Sequence, residues 1–137
     1  MSNIKDLEKS LPDMSHRFDI DMKGQLTNLS YKGEFVCKIP SAKDQSAIAK
    51  HKAYLNGGFE QGLDVGTRNL HHMISYLRYT LKEFPKWWED NDLGYELYDV
   101  NVIETVYGYV LEFEQGWMKK VWGDVEEVES ESEETEG

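Results

Sequence analysis

The sequence predicts an α+β fold: an N-terminal antiparallel β-hairpin followed by three main helices, mostly α, with a disordered acidic C-terminal tail. Three observations predict it. Apolar residues alternate with charged ones in two short runs before residue 40, which is strand periodicity. They recur every three to four residues in two longer runs between 67 and 122, which is helix periodicity. From Asp124 onward there are eight acids and no base. Such a segment repels itself and buries too little apolar surface to offset its ordering entropy. The implied organisation is a loosely ordered segment over 1–15, a single folded domain over 16–123 and the tail over 124–137.

The elements follow in order. A short helical turn is expected around Ile4, Leu7 and Leu11, on a polar terminus with little to hold it. From Arg17, the residues Phe18, Ile20 and Met22 share one strand face, with Arg17, Asp19 and Asp21 on the other. A second strand over 34–39 carries Phe35, Cys37 and Ile39 inward. Gly24 and Asn28-Leu29-Ser30 supply the turn chemistry that makes the pair a hairpin. Ser41, with Asp44 three residues on, reads as a capped helix start after Pro40. Asn56-Gly57-Gly58 reads as its stop. Thr67 is the expected cap of the next helix, whose stripe is Leu70, Met73, Ile74, Leu77, Leu81 and Phe84, with Pro85 ending it. The last helix is expected from just after Asp99 to about Trp122, with Val100, Ile103, Val106, Tyr107, Val110, Phe113, Trp117 and Val121 as its stripe. Gly108 and Gly116 on that helix read either as tolerated glycines or as a place where another backbone approaches.

Charge and composition narrow the function. The chain of 137 residues has a formal charge of −11. Eight of its 26 acids lie in 124–137, which leaves 18 against all 15 bases in the rest, a net −3. No basic surplus exists to displace counterions from phosphates, so direct nucleic-acid binding is not expected. The lone Cys37 excludes an internal disulfide and a multi-cysteine zinc site. The first 15 residues carry charges throughout, unlike a signal peptide, and no run is apolar enough for a membrane helix. A cytoplasmic location is the expectation, that of the host if the protein is viral.

The residues that could carry chemistry fall short of the patterns it needs. His71 and His72 are adjacent, so on a helix their side chains diverge by about 100° and do not meet one ion with His51. Asp90-Asn91-Asp92 before Gly94 departs from a calcium loop in two places, and Gly57, Gly58, Gly62 and Gly66 lack the Lys-Ser/Thr ending of a phosphate loop. Asp19 and Asp21 have no third ligand tied to them, and Cys37 alternates inward like a small core residue. We therefore expect no enzyme activity, no catalytic or metal-binding residue and no cofactor. The 17 aromatic residues point instead to binding. Trp87 and Trp88 in Phe84-Pro85-Lys86-Trp87-Trp88 cannot both face one core direction. They are read either as an aromatic plug on the helix pair or as part of a protein-interaction surface with Tyr95, Tyr98, Trp117 and Trp122.

The run Tyr31-Lys32-Gly33-Glu34-Phe35, then Lys38-Ile39-Pro40-Ser41 leading into a helix with Asp44-Gln45, the Gly57-Gly58 stop, the amphipathic stretch to Pro85 and the Trp87-Trp88 pair before a final helix follow one another over about 17–122. This order of features resembles the tail assembly chaperones of long-tailed bacteriophages and related proteins of phage structural operons. The resemblance implies a mostly helical chaperone that binds the long helical tape-measure protein during tail assembly, in the host cytoplasm, with no catalytic residue to transfer. Self-association is a further expected property. The competing readings are a structural tail or capsid subunit retained in the virion and an acidic nucleic-acid mimic that inhibits a host protein; the near-balanced charge of the folded part argues against the mimic.

Overall fold

The structure is a computed structural model that describes residues 3–123, Glu60 excepted, and assigns the course of the final helix as far as Glu136. In chain order the elements are α1 (Ile4–Glu8), β1 (Ser15–Lys23), β2 (Ser30–Lys38), α2 (Ala42–Asn56), α3 (Val65–Thr80), β3 (Leu81–Glu83), α4 (Lys86–Glu89) and α5 (Val100–Glu136). The antiparallel hairpin followed by helices is the architecture expected from the two periodicities. The expected disorder of 124–137 concerns residues outside those described.

The hairpin strands are longer than the alternation alone indicates and pair without slip from Ser15↔Lys38 to Lys23↔Ser30. Asn28 takes the left-handed conformation (φ 61°) that asparagine tolerates in turns. A third strand, β3, is not anticipated by the sequence pattern. It pairs antiparallel with β2, giving the sheet order β1-β2-β3. Periodicity assigns its residues to the helical stripe, but α3 ends at Thr80, five residues before Pro85, and Leu81 enters the sheet instead. Leu81 is buried either way, so periodicity alone does not distinguish a helix that continues from a chain that turns into an edge strand.

Helix starts follow side-chain chemistry. Ser41 caps α2 in a reciprocal capping box with Asp44, and Gly57 (φ 61°) terminates the helix, both as expected. The cap of α3 is Asp64 rather than Thr67. Its carboxylate accepts the Thr67 amide at 2.6 Å, which places Thr67 in the first turn.

The core lies between the inner sheet face and the helices α3 and α5. Phe18, Phe35 and Cys37 from the sheet meet Ile74 and Leu77 of α3 and Val102, Ile103, Val106 and Val110 of α5. Val102, not Val100, opens the buried stripe of α5, so the helix is rotated slightly from the expected face. Gly108 and Gly116 face open space, and no other backbone among the described residues approaches them. The contacts α5 makes show that it runs antiparallel to β1: Asn101 is at Lys23, Tyr109 at Phe18, Phe113 at His16 and Trp117 at Pro12. No helix among the described residues is long and apolar enough to cross a membrane.

Candidate protein-interaction surface

The six aromatic residues singled out from the sequence fall into three places. Trp88 is fully buried (0% exposed) and stands edge-on to Phe35 at 5.5 Å, so it is the plug and not a contact surface. The space it fills requires glycine at 94, because a Cβ there would lie 2.6 Å from the indole ring. Trp87 is half-buried, packs edge-on against Tyr31 and donates its indole N–H to the Lys32 carbonyl at 2.8 Å. The two indoles diverge as expected, but neither is freely presented. Consecutive residues of one short helix point one ring into the core and the other along the sheet.

Tyr95 and Tyr98 sit in the segment between α4 and α5. The Tyr95 hydroxyl pairs with His71 Nε2 at 3.2 Å, while Nδ1 of the same ring donates to Asn56 Oδ1 at 2.7 Å. His71 thus ties α3 to the end of α2, and Tyr95 joins the segment before α5 to the same ring. Tyr98 is 74% exposed. The three neighbouring histidines serve different contacts: His51 Nδ1 is 2.8 Å from Ser75 Oγ, and His72 stacks edge-on with Tyr107. Burial holds the rings of His51 and His72 below the ordinary imidazole range, assisted by Arg78 for the first and Lys52 for the second. Among the described residues no cluster of three or more His, Cys, Asp or Glu is placed to hold a metal. The Asp90–Asp92 segment is a tight turn in which Asn91 donates to the Trp87 carbonyl and Asp92 faces Arg78.

Trp117 and Trp122 lie on α5, where it leaves the sheet. Trp117 is half-buried and donates to the Pro12 carbonyl at 3.2 Å, which fastens the N-terminal segment to the helix. One turn on, Met118 and Trp122 are 54% and 56% exposed, with Val121 between them also exposed. Positions 118, 121 and 122 are spaced as i, i+3 and i+4, so they form one apolar patch on one helix face. Beside it a groove of about 590 Å³ runs between β1 and α5, lined chiefly by Pro12, His16, Phe18, Tyr109, Phe113 and Trp117. His16 stacks on Phe113 at 5.0 Å and Tyr109 on Phe18 at 5.1 Å, giving the groove an aromatic floor.

Two polar features of this region are not readable from the sequence. Tyr76 of α3 donates its hydroxyl to Glu114 of α5. Burial drives the Glu114 carboxyl up, partly offset by that hydrogen bond, and the same burial with the facing Glu114 drives the Tyr76 phenol up. Cys37 lies in the same region, and burial together with Glu114 pushes its thiol up to about 11, which keeps it protonated at neutral pH. At the other end of α5, Asp99 gathers the hairpin turn. Its carboxylate accepts the amides of Leu26 (2.8 Å) and Thr27 (3.0 Å) and the hydroxyls of Thr27 and Tyr31. Alternation and spacing carry no signal for such long-range pairs.

The α5 patch offers apolar surface, and the groove beside it combines aromatic side chains with Asp13, Ser15, Glu112 and Lys120. No protein-family model, no curated protein and no solved structure matches this chain.

Proposed function

We propose that the chain is a non-enzymatic assembly protein, a tail assembly chaperone of the long-tailed phage kind, that holds an apolar helical stretch of a tape-measure protein. What supports this reading is the patch of Met118, Val121 and Trp122, an apolar helix face exposed among the described residues at the point where α5 passes the end of the sheet. A partner helix with an i, i+3, i+4 stripe packs on such a face by the same ridge-and-groove geometry that joins helices within a domain. Trp122 is the natural anchor, since large rings dominate binding energy at protein interfaces.

The test is co-expression with tape-measure segments from the same operon, followed by affinity capture and calorimetry. The wild type should retain a helical segment. Combined Trp122→Ala and Met118→Ser should weaken it by roughly a hundredfold, as loss of an interface anchor does, with the unfolding midpoint unchanged. Presence of the protein in purified particles, with no capture of such a segment, would instead favour a structural subunit of the virion.

A further inference from the structure

The sheet has two edges, and they are built differently. β3 is three residues long, and its register against β2 slips between Val36 and Cys37; short, irregular edges resist further pairing. β1 is nine residues long, contains no proline and pairs with β2 without a bulge.

The direction of its backbone groups follows from the hydrogen bonds at the two ends. Gly24 N–H donates to the Leu29 carbonyl and Ile39 N–H to the Met14 carbonyl, so the even-numbered residues of this stretch face β2. Antiparallel ladders alternate, and the odd-numbered residues therefore aim their N–H and C=O groups away from the sheet. Both outer positions confirm it. The Ser15 amide donates to Asp13 Oδ1 (3.0 Å), and the Lys23 carbonyl accepts from Asn101 Nδ2 (3.1 Å). Between them, the outward amides and carbonyls of Arg17, Asp19 and Asp21 meet no protein group among the described residues.

Charge selects what fits there. Asp19 lies opposite Glu34 on β2, a like-charged pair, while Arg17 reaches across to Glu34 and Glu83. Asp19 has no ion-pair partner among the described residues. Only registers that set odd residues against odd residues align the outward hydrogen-bonding groups of two such strands. With a two-fold axis at Asp19, that residue meets its own copy; with the axis at Ile20, Asp19 meets Asp21 and Arg17 meets Lys23. With the axis at Phe18, Arg17 faces Asp19 of the second copy on both sides and Ser15 faces Asp21. Phe18 then opposes Phe18 in a non-hydrogen-bonded pair, the closest side-chain approach in an antiparallel ladder. Tyr109, stacked on Phe18 and partly exposed, borders this edge on the groove side.

We propose that β1 pairs antiparallel with β1 of a second copy of this chain about a two-fold axis at Phe18, joining two three-stranded sheets into one. The partner is a second copy because the strand is complementary to itself in charge in this register. This edge is separate from the α5 patch, so self-pairing and capture of a helical segment are independent.

The experiment uses the full chain. Light scattering should find a concentration-dependent dimer, and the Arg17 and Asp19 amides should exchange with solvent more slowly as concentration rises. Arg17→Asp sets acid against acid across the axis and Asp19→Arg sets base against base. Each alone should weaken dimerisation by roughly tenfold or more. In an equimolar mixture of the two variants, every charged contact across the axis again sets one acid against one base, and the dimer should return. The mixture separates strand pairing from a folding defect, and the exchange measurement needs no variant. A wild type that stays monomeric with concentration-independent exchange would overturn the proposal. So would single variants that dimerise like the wild type, a mixture of folded variants that fails to pair, or protection of these amides only when another protein is added.

Discussion

The Asp99 carboxylate accepts the Tyr31 hydroxyl at 2.7 Å, joining two residues 68 positions apart, and with Leu26 and Thr27 it ties the start of α5 to the hairpin. Asp99 is 1% exposed, and a Cβ on Gly24 would collide with its carboxylate, so the turn closes around this one group.

Stability should therefore fall in acid through Asp99. Burial pushes its pKa up, but the Thr27 and Tyr31 hydroxyls and the Thr27 and Leu26 amides outweigh that and hold it at about 2. Unfolded aspartate titrates near about 3.9, so the native state favours the ionised form. That contribution is complete above the unfolded value and is lost as pH drops through about 2. Thermal melts from pH 6 to pH 2 should show it, and Asp99→Asn should melt lower at pH 6 with a flatter acid limb. An acid limb unchanged by the substitution would assign the loss to other groups.

Glu114 should act in the opposite sense. Its folded pKa is raised, chiefly by burial, so its contribution is present below the unfolded value and lost as pH rises. Glu114→Gln keeps an acceptor for Tyr76 without the charge and should gain on the wild type between pH 4 and pH 7. Glu114→Ala leaves the Tyr76 hydroxyl unpartnered and should cost about 1–3 kcal/mol at either pH. Urea titrations at the two pH values measure both.

Leu77 is completely buried in the last turn of α3, within the core that the helix shares with the sheet and α5. Leu77→Ala should cost about 2–5 kcal/mol in chemical denaturation. A loss under about 0.5 kcal/mol would place this position at the surface.

The tryptophans should separate by role. Trp88→Ala should cost about 3–5 kcal/mol, the range for removing a core aromatic. Trp87→Ala should cost less, because the ring is half-buried, though it forfeits the bond to Lys32. Trp122→Ala should stay within about 0.5 kcal/mol of the wild type in stability and act only on binding.

What the sequence makes legible is local. Ser41 and Asp44 announce a capping box within four residues, and Gly57 announces the stop, because the chemistry that satisfies a helix end is carried by the residues beside it. The hairpin face of Phe18 and Ile20 is equally plain. Thr67 misleads because Asp64 and Thr67 are both competent caps, and only the chain's entry into α3 decides between them. Leu81 misleads because a helix stripe and an edge strand both demand an apolar residue there. In the candidate surface, the sequence identifies tryptophans but not their depth: Trp88 fills the core because Gly94 makes room for it, six residues on. The open edge at Arg17, Asp19 and Asp21 is legible only as a solvent-facing stripe, since side-chain alternation is silent about where backbone groups point.

The antiparallel run of α5 along β1 also sets an order of events during synthesis. Phe18 and Phe35 are among the first large apolar residues made, yet the surface that covers them includes Val106, Val110 and Tyr109. Trp117 reaches back 105 residues to Pro12. Contacts of such separation are slow to form, because long-loop closure must precede the gain. On the ribosome α3 and Trp88 are made in time to cover Phe35, but the part of the sheet face that lies under α5 must wait, uncovered, until nearly the whole folded part has been translated. Any slowing of elongation upstream of α5 therefore prolongs the interval in which that part of the sheet face is exposed to aggregation.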